Sequence, residues 1–168
     1  MAKPQVLFIF SDPTTQWKPL QGAAGTTGLC TPDMALVDDG NGDVTLNGQP
    51  STPFVYKGKS YPSYPAATAT LTVQKGRQPK FAFSVVGSGS NSYFLNGVAL
   101  KNQTAAGPGG TTFPDLDIKV ANDGTTTLNL QDINPGAAGS TTSFDMLILV
   151  QDSQGNVGLI DPLLTNDN

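Results

Sequence analysis

Apolar and polar residues alternate with a period of two along much of this chain, the spacing of strands with one buried face. The clearest run covers 67–74. Ala67, Ala69, Leu71 and Val73 fall on one side; Thr68, Thr70, Thr72 and Gln74 fall on the other. Phe81, Phe83 and Val85 repeat the pattern, as do Leu116, Ile118 and Val120, then Leu128 and Leu130. Residues 5–10 form a first apolar strand that Asp12-Pro13 ends, because proline cannot donate to a ladder. Shorter strands are expected at 34–37, 44–46, 53–56, 92–95 and 98–100. Residues 144–150 are almost continuously apolar, as in a central strand covered on both faces, and 157–160 make the last strand.

Turn chemistry falls between these runs. Asn47-Gly48, Asn96-Gly97 and Asn122-Asp123-Gly124 are hairpin signals, because asparagine, aspartate and glycine accept positive φ. The stretches 21–28, 105–110 and 134–139 are glycine-rich connections without a phosphate-loop ending. About nine to eleven strands and no helix result. The expected fold is all-β: a single-domain Greek-key β-sandwich, immunoglobulin-like or jelly-roll-like, because a single sheet cannot bury both faces. The domain is assigned to 1–162, and 163–168 to a short, poorly ordered C-terminal tail.

Composition strengthens that picture. The 168 residues include 19 glycines and 13 prolines, both poor helix formers. Charged residues make up only 13%, so solubility rests on Thr, Ser and Asn. The net charge is −4, with nine Lys plus Arg and no basic cluster, which argues against nucleic acid and anionic membrane as partners. The chain has no histidine and no glutamate. Histidine-based triads and histidine-ligated metal centres are therefore ruled out. Cys30 stands alone, so no internal disulfide forms, and its default role is a small hydrophobe. The N-terminal apolar run is too short for a signal sequence, which makes the cytoplasm the expected location.

Three groups of residues carry candidate chemistry. No cofactor is expected; Asp39, Asn41 and Asp43 have the alternate spacing that opens a calcium loop, which makes calcium the alternative. Val44 and Pro50 stand where that loop needs glycine and glutamate, so a solvated turn is the competing reading. Trp17, Tyr56, Tyr61 and Tyr64 lie in or beside proline-rich segments, where aromatics stack on sugars or fill interfaces. Lys57 and Lys59 place cations between Tyr56 and Tyr61, suited to an anionic or sugar ligand. Asp115, Asp117, Asp132 and Asp145 are the carboxylates available for a glycosidase-type pair.

The C-terminal run 150–167 combines an apolar strand, an Asp/Gly/Asn turn, a second short strand, then Asp161-Pro162 and Asn166-Asp167. In this it resembles the ending of the DP-EP family, small bacterial proteins with no established activity. Leu128-Asn129-Leu130-Gln131-Asp132 is compatible with the same likeness, which covers the last quarter of the chain. The resemblance implies a fold and no active residues, and marks Asp161 and Pro162 as motif positions.

The expected function is therefore non-enzymatic binding or self-assembly, the low charge permitting a homo-oligomer. The alternatives are a carbohydrate-binding module with a glycan partner, calcium-assisted, and an aspartate-based hydrolase.

Overall fold

The computed structural model describes residues 3–10, 32–87, 93–105, 116–117, 127–132, 141–153 and 157–167. Among the described residues there are fourteen strands and no helix, and the all-β expectation holds. No helix among them is long and apolar enough to cross a membrane.

Two six-stranded sheets carry the fold. The first is built on β1 (Gln5–Phe10), which pairs antiparallel with β2 (Asp33–Asp38) and parallel with β8 (Lys80–Gly87). β6 (Tyr64–Pro65) extends it beyond β2. On the other side β8 pairs with β11 (Thr127–Asp132), and β11 with β10 (Leu116–Asp117). This last pairing joins the two arms of the hairpin expected over 116–131, whose turn at 122–124 lies outside the described residues.

The second sheet is built on β12 (Thr141–Asp152), which takes neighbours on both edges as the apolar run 144–150 predicts. One neighbour is β9 (Tyr93–Ala105). The other edge is shared by β13 (Val157–Ile160) and β14 (Leu163–Asp167). β14 pairs parallel with β7 (Thr70–Val73), and β7 antiparallel with β3 (Val44–Asn47). Along β12, Met146, Ile148 and Val150 are fully buried, whereas Leu147 and Leu149 are half-buried, so one face takes most of the burial.

Side chains from both sheets meet in one core. Phe8, Phe10, Phe81 and Phe83 come from the first sheet; Leu71, Val73, Leu95, Met146 and Ile148 come from the second. Each is under 2% exposed, and burying such side chains contributes roughly 1.5–3 kcal/mol apiece. Phe8 stacks on Phe83 at 5.9 Å between centroids, and Phe83 on Phe81 at 5.6 Å.

Several sequence expectations change. Residues 163–167, assigned to the tail, are a strand. Strand β14 lies between β12 and β7, and Leu164 is completely buried. The pairing of β12 with β13 and with β14 keeps one register, Ile148 opposite Ile160 and Asp145 opposite Leu163. Asp161-Pro162 therefore interrupts one long strand without ending it. The Pro162 carbonyl still accepts the Met146 N–H at 2.9 Å, but proline has no N–H to return.

Asn96-Gly97 is not a hairpin turn either. It lies inside β9, where Leu149 faces Gly97 and Val150 faces Leu95, which makes Asn96 the extra residue of a β-bulge. Asn47-Gly48 ends β3 without turning back, since β3 pairs with β7. Gly48 permits close approach there: a Cβ would stand 3.3 Å from the Ala69 backbone and 3.4 Å from Tyr64 Cβ, a tight fit. The strand expected over 67–74 shortens to β7, because Thr68 N–H donates to the Pro65 carbonyl and draws the first residues into a turn.

Candidate functional site

Between β3 and β6 the chain forms a small separate hairpin, β4 (Phe54–Tyr56) and β5 (Lys59–Tyr61). Lys57 and Gly58 are its two loop residues, with φ of 49° and 77°. Two consecutive positive φ values match the twist of paired strands, so the turn is tight. The base is clamped by hydrogen bonds. Ser51 N–H donates to the Ser63 carbonyl at 2.8 Å, and Ser63 Oγ donates to the Thr52 carbonyl at 2.6 Å. Ser51 Oγ donates to Asp33 Oδ2 at 2.8 Å, tying the hairpin to β2. Ser63 is the buried polar side chain among the described residues, and its hydrogen bond explains why it tolerates burial.

Register decides which side chains share a face. Phe54 lies opposite Tyr61, and Tyr56 opposite Lys59, so these four project from one side. Val55 and Ser60 project from the other, and Val55 is 65% exposed, the large apolar side chain most open to solvent among the described residues. On the aromatic face Phe54 and Tyr56 stack at 6.3 Å between centroids. The Lys57 ammonium lies 5.1 Å from the centre of the Tyr56 ring, and that of Lys59 lies 5.2 Å from the centre of Tyr61. These are cation–π distances, worth about 0.5–1 kcal/mol each at exposed sites. Among the described residues neither lysine forms an ion pair; the pair found is Arg77 Nε to Asp43 Oδ1, at 3.6 Å.

Of the aromatics chosen from sequence, Tyr56 and Tyr61 thus share one face. Tyr64 is separate: it is half-buried in β6, opposite Met34, and packs against the core. Trp17 and Cys30 lie outside the described residues. Phe54 was missed, though the spacing Phe54-Val55-Tyr56 carried the signal that both rings share a side.

The acidic turn closes on itself through its own backbone and side-chain hydrogen bonds. Gly40, Asn41 and Gly42 are all left-handed, with φ of 67°, 68° and 85°. Asp43 N–H closes the turn onto the Asp39 carbonyl at 3.0 Å. Asp38 Oδ1 accepts the Gly40 N–H at 2.8 Å, and Asp39 Oδ1 accepts the Asn41 N–H at 3.0 Å. Asp43 faces Arg77. Among the described residues no three of His, Cys, Asp or Glu gather as metal ligands.

Of the remaining candidates, Asp117 and Asp132 lie one register step apart on paired strands. Asp117, Asp132 and Asp145 fall in β10, β11 and β12, and Asp115 lies outside the described residues. Asp161 lines an open cleft of about 330 Å³ with Ala67, Thr68, Ala69, Thr70 and Leu163, where β7 begins beside β14. A second, apolar cleft of about 160 Å³ lies under the hairpin base, lined by Leu36, Leu46, Pro62 and Tyr64. No family model matches the chain, and no curated protein sequence matches it.

Proposed function

We propose that this chain is a non-enzymatic binding protein that meets its target through the β4–β5 hairpin. One observation carries the reading: three aromatic rings and two lysines are displayed on an eight-residue hairpin with a tight turn and a clamped base. Aromatic residues give large contact area at low entropic cost, and a preformed hairpin has little order left to lose on binding. The two facing sheets suit a Greek-key β-sandwich, in which rims and hairpins are the working surface. The composition supports binding over catalysis, since it lacks histidine and glutamate. The likeness to the DP-EP family is carried here as a proposal of kinship, with no active residue attached.

The test is a glycan array probed with the wild-type chain and with Tyr56→Leu/Tyr61→Leu. Signals present in the first and lost in the second are expected. Signals that the double substitution leaves unchanged would rule out the hairpin as the binding element.

Self-assembly is the second reading, favoured by Val55, which exposes an apolar side chain on the hairpin's opposite face. Light scattering during gel filtration should then show a concentration-dependent mass that Val55→Asp reduces to the monomer's.

A further inference from the structure

The nature of the ligand follows from what covers the rings. A platform for neutral sugars offers bare aromatic faces. Here ammonium groups sit over Tyr56 and Tyr61, and Phe54 stacks on Tyr56. What the hairpin presents is therefore a pair of cations held on an aromatic base. Between 54 and 64 there are two lysines and no acidic residue, on a chain whose net charge is −4. The hairpin is a local positive patch on an acidic protein, and its charge has no partner among the described residues.

Shape narrows the class further. Small molecules take concave pockets of about 300–1,000 Å³ that enclose most of their surface. The cleft beside the hairpin is about 160 Å³ and apolar, and the larger cleft of about 330 Å³ belongs to the β7–β14 junction. Among the described residues the cleft adjoining the hairpin is too small for such a ligand, and an open two-stranded face suits an extended chain. Single-stranded nucleic acid is one extended anion with ring faces, but it needs a basic track along its backbone. Two lysines on a chain of net charge −4 do not form such a track. An acidic polysaccharide can space its charges more widely than a phosphate backbone, and it offers hydroxyls to Tyr56 and Tyr61 on their shared face.

We propose that the β4–β5 hairpin binds a linear anionic polysaccharide, one carrying carboxylate or sulfate groups. The lysines, held over the rings, meet the acid groups, and the tyrosine hydroxyls hydrogen-bond to the sugar hydroxyls between them. This rests on the binding reading above and adds charge as the selecting property.

Affinity electrophoresis through gels containing dextran, dextran sulfate, polygalacturonate or no polymer tests it, with oligothymidylate titrated separately by fluorescence anisotropy. The wild-type chain should be retarded by dextran sulfate and polygalacturonate and not by dextran. Lys57→Gln/Lys59→Gln should weaken retardation about tenfold, in line with two exposed charge contacts, and Lys57→Arg/Lys59→Arg should restore it. Circular dichroism identical to wild type keeps the loss attributable to charge. Equal retardation by dextran and dextran sulfate, abolished by Tyr56→Leu/Tyr61→Leu, would overturn the anionic assignment and leave hairpin binding standing. Tighter binding of oligothymidylate than of either acidic polymer would overturn the polysaccharide class. Retardation by no polymer, or retardation that neither pair of substitutions changes, would overturn both readings.

Discussion

The rings of Phe10 and Tyr93 lie face to face, 4.4 Å between centroids and 9° between planes, and they belong to different sheets. Phe10 ends β1 and Tyr93 begins β9, so the contact joins the two layers through residues 83 positions apart. Both are almost completely buried. Phe10→Ala should therefore destabilise the fold by roughly 3–5 kcal/mol, read as a lower urea midpoint. A double-mutant cycle of Phe10→Leu with Tyr93→Leu should give a coupling of about 0.5–1.5 kcal/mol beyond the separate losses. Additive effects would show that the rings fill space without favouring each other.

Gly40 should tolerate substitution least among the glycines of the acidic turn. It combines φ of 67° with a Cβ position 2.6 Å from Pro4 Cγ. Gly42 shares the left-handed backbone, at 85°, but has open space around it. Gly42→Ala should thus cost about 1–2 kcal/mol from backbone strain alone. Gly40→Ala should cost more, because Pro4 is buried and its carbonyl accepts the Ala82 N–H at 2.8 Å, leaving it little freedom to move. Thermal unfolding of the two variants side by side checks the order.

Leu164 tests the C-terminal strand. Its side chain is wholly buried, and β14 is the link between β12 and β7. Leu164→Ala should cost about 2–5 kcal/mol. Deletion of residues 163–168 should abolish cooperative unfolding, because β7 and β3 would lose their attachment to the sheet. A truncated chain that unfolds with the wild-type midpoint would contradict this role.

That strand also shows where the sequence was legible and where it was not. Strand identity was visible wherever alternation spanned several residues, as at Phe81, Phe83 and Val85, because period two is a local property. The partner of a strand is not local. Pro162 looked like a stop because proline lacks an N–H, yet its carbonyl alone keeps the register with Met146. Asn47-Gly48 and Asn96-Gly97 looked like turns by composition. One glycine instead packs closely on Ala69 and Tyr64, and the other lies at a bulge where Asn96 Nδ2 donates to Gln151 Oε1 at 3.0 Å. The parallel pairings of β1 with β8 and β14 with β7 had no signal in any single window. For the candidate site, Tyr56 and Tyr61 were readable as aromatics near lysines. Their shared face needed the register set by a two-residue turn at Lys57-Gly58, which lacks the usual Asn-Gly signal.

Lys3 gives the fold a pH dependence on the alkaline side. Burial, reinforced by the like charge of Lys80, holds its ammonium below the usual lysine range. In the folded chain the proton leaves Lys3 at a lower pH than in the unfolded chain. Over that interval the unfolded state binds more protons, so stability rises with pH. The gain begins at the lowered folded value and is complete above the ordinary lysine value of about 10.4. Lys3→Gln should flatten this rise, and Lys80→Gln should reduce it in part, as measured by urea unfolding from pH 8 to 11. A slope unchanged by Lys3→Gln would assign it to other groups.

The hairpin turn separates what the fold needs at Lys57 from what binding needs there. A lysine at φ 49° is strained, whereas asparagine enters the left-handed region readily. Lys57→Asn should therefore stabilise the turn by about 0.5 kcal/mol while removing one of its two cations. Gly58, at φ 77° with open space around it, should cost about 1–2 kcal/mol when changed to Ala. Because β4 and β5 pair only with each other among the described residues, these effects should stay local. Amide hydrogen exchange between 54 and 61 should slow in Lys57→Asn and quicken in Gly58→Ala, with the amides of β12 unchanged. If turn strain and ligand recognition are distinct, Lys57→Asn should then bind acidic polymer more weakly although its hairpin is better ordered. Tighter binding by that variant would mean that order of the loop, and not the Lys57 charge, governs recognition.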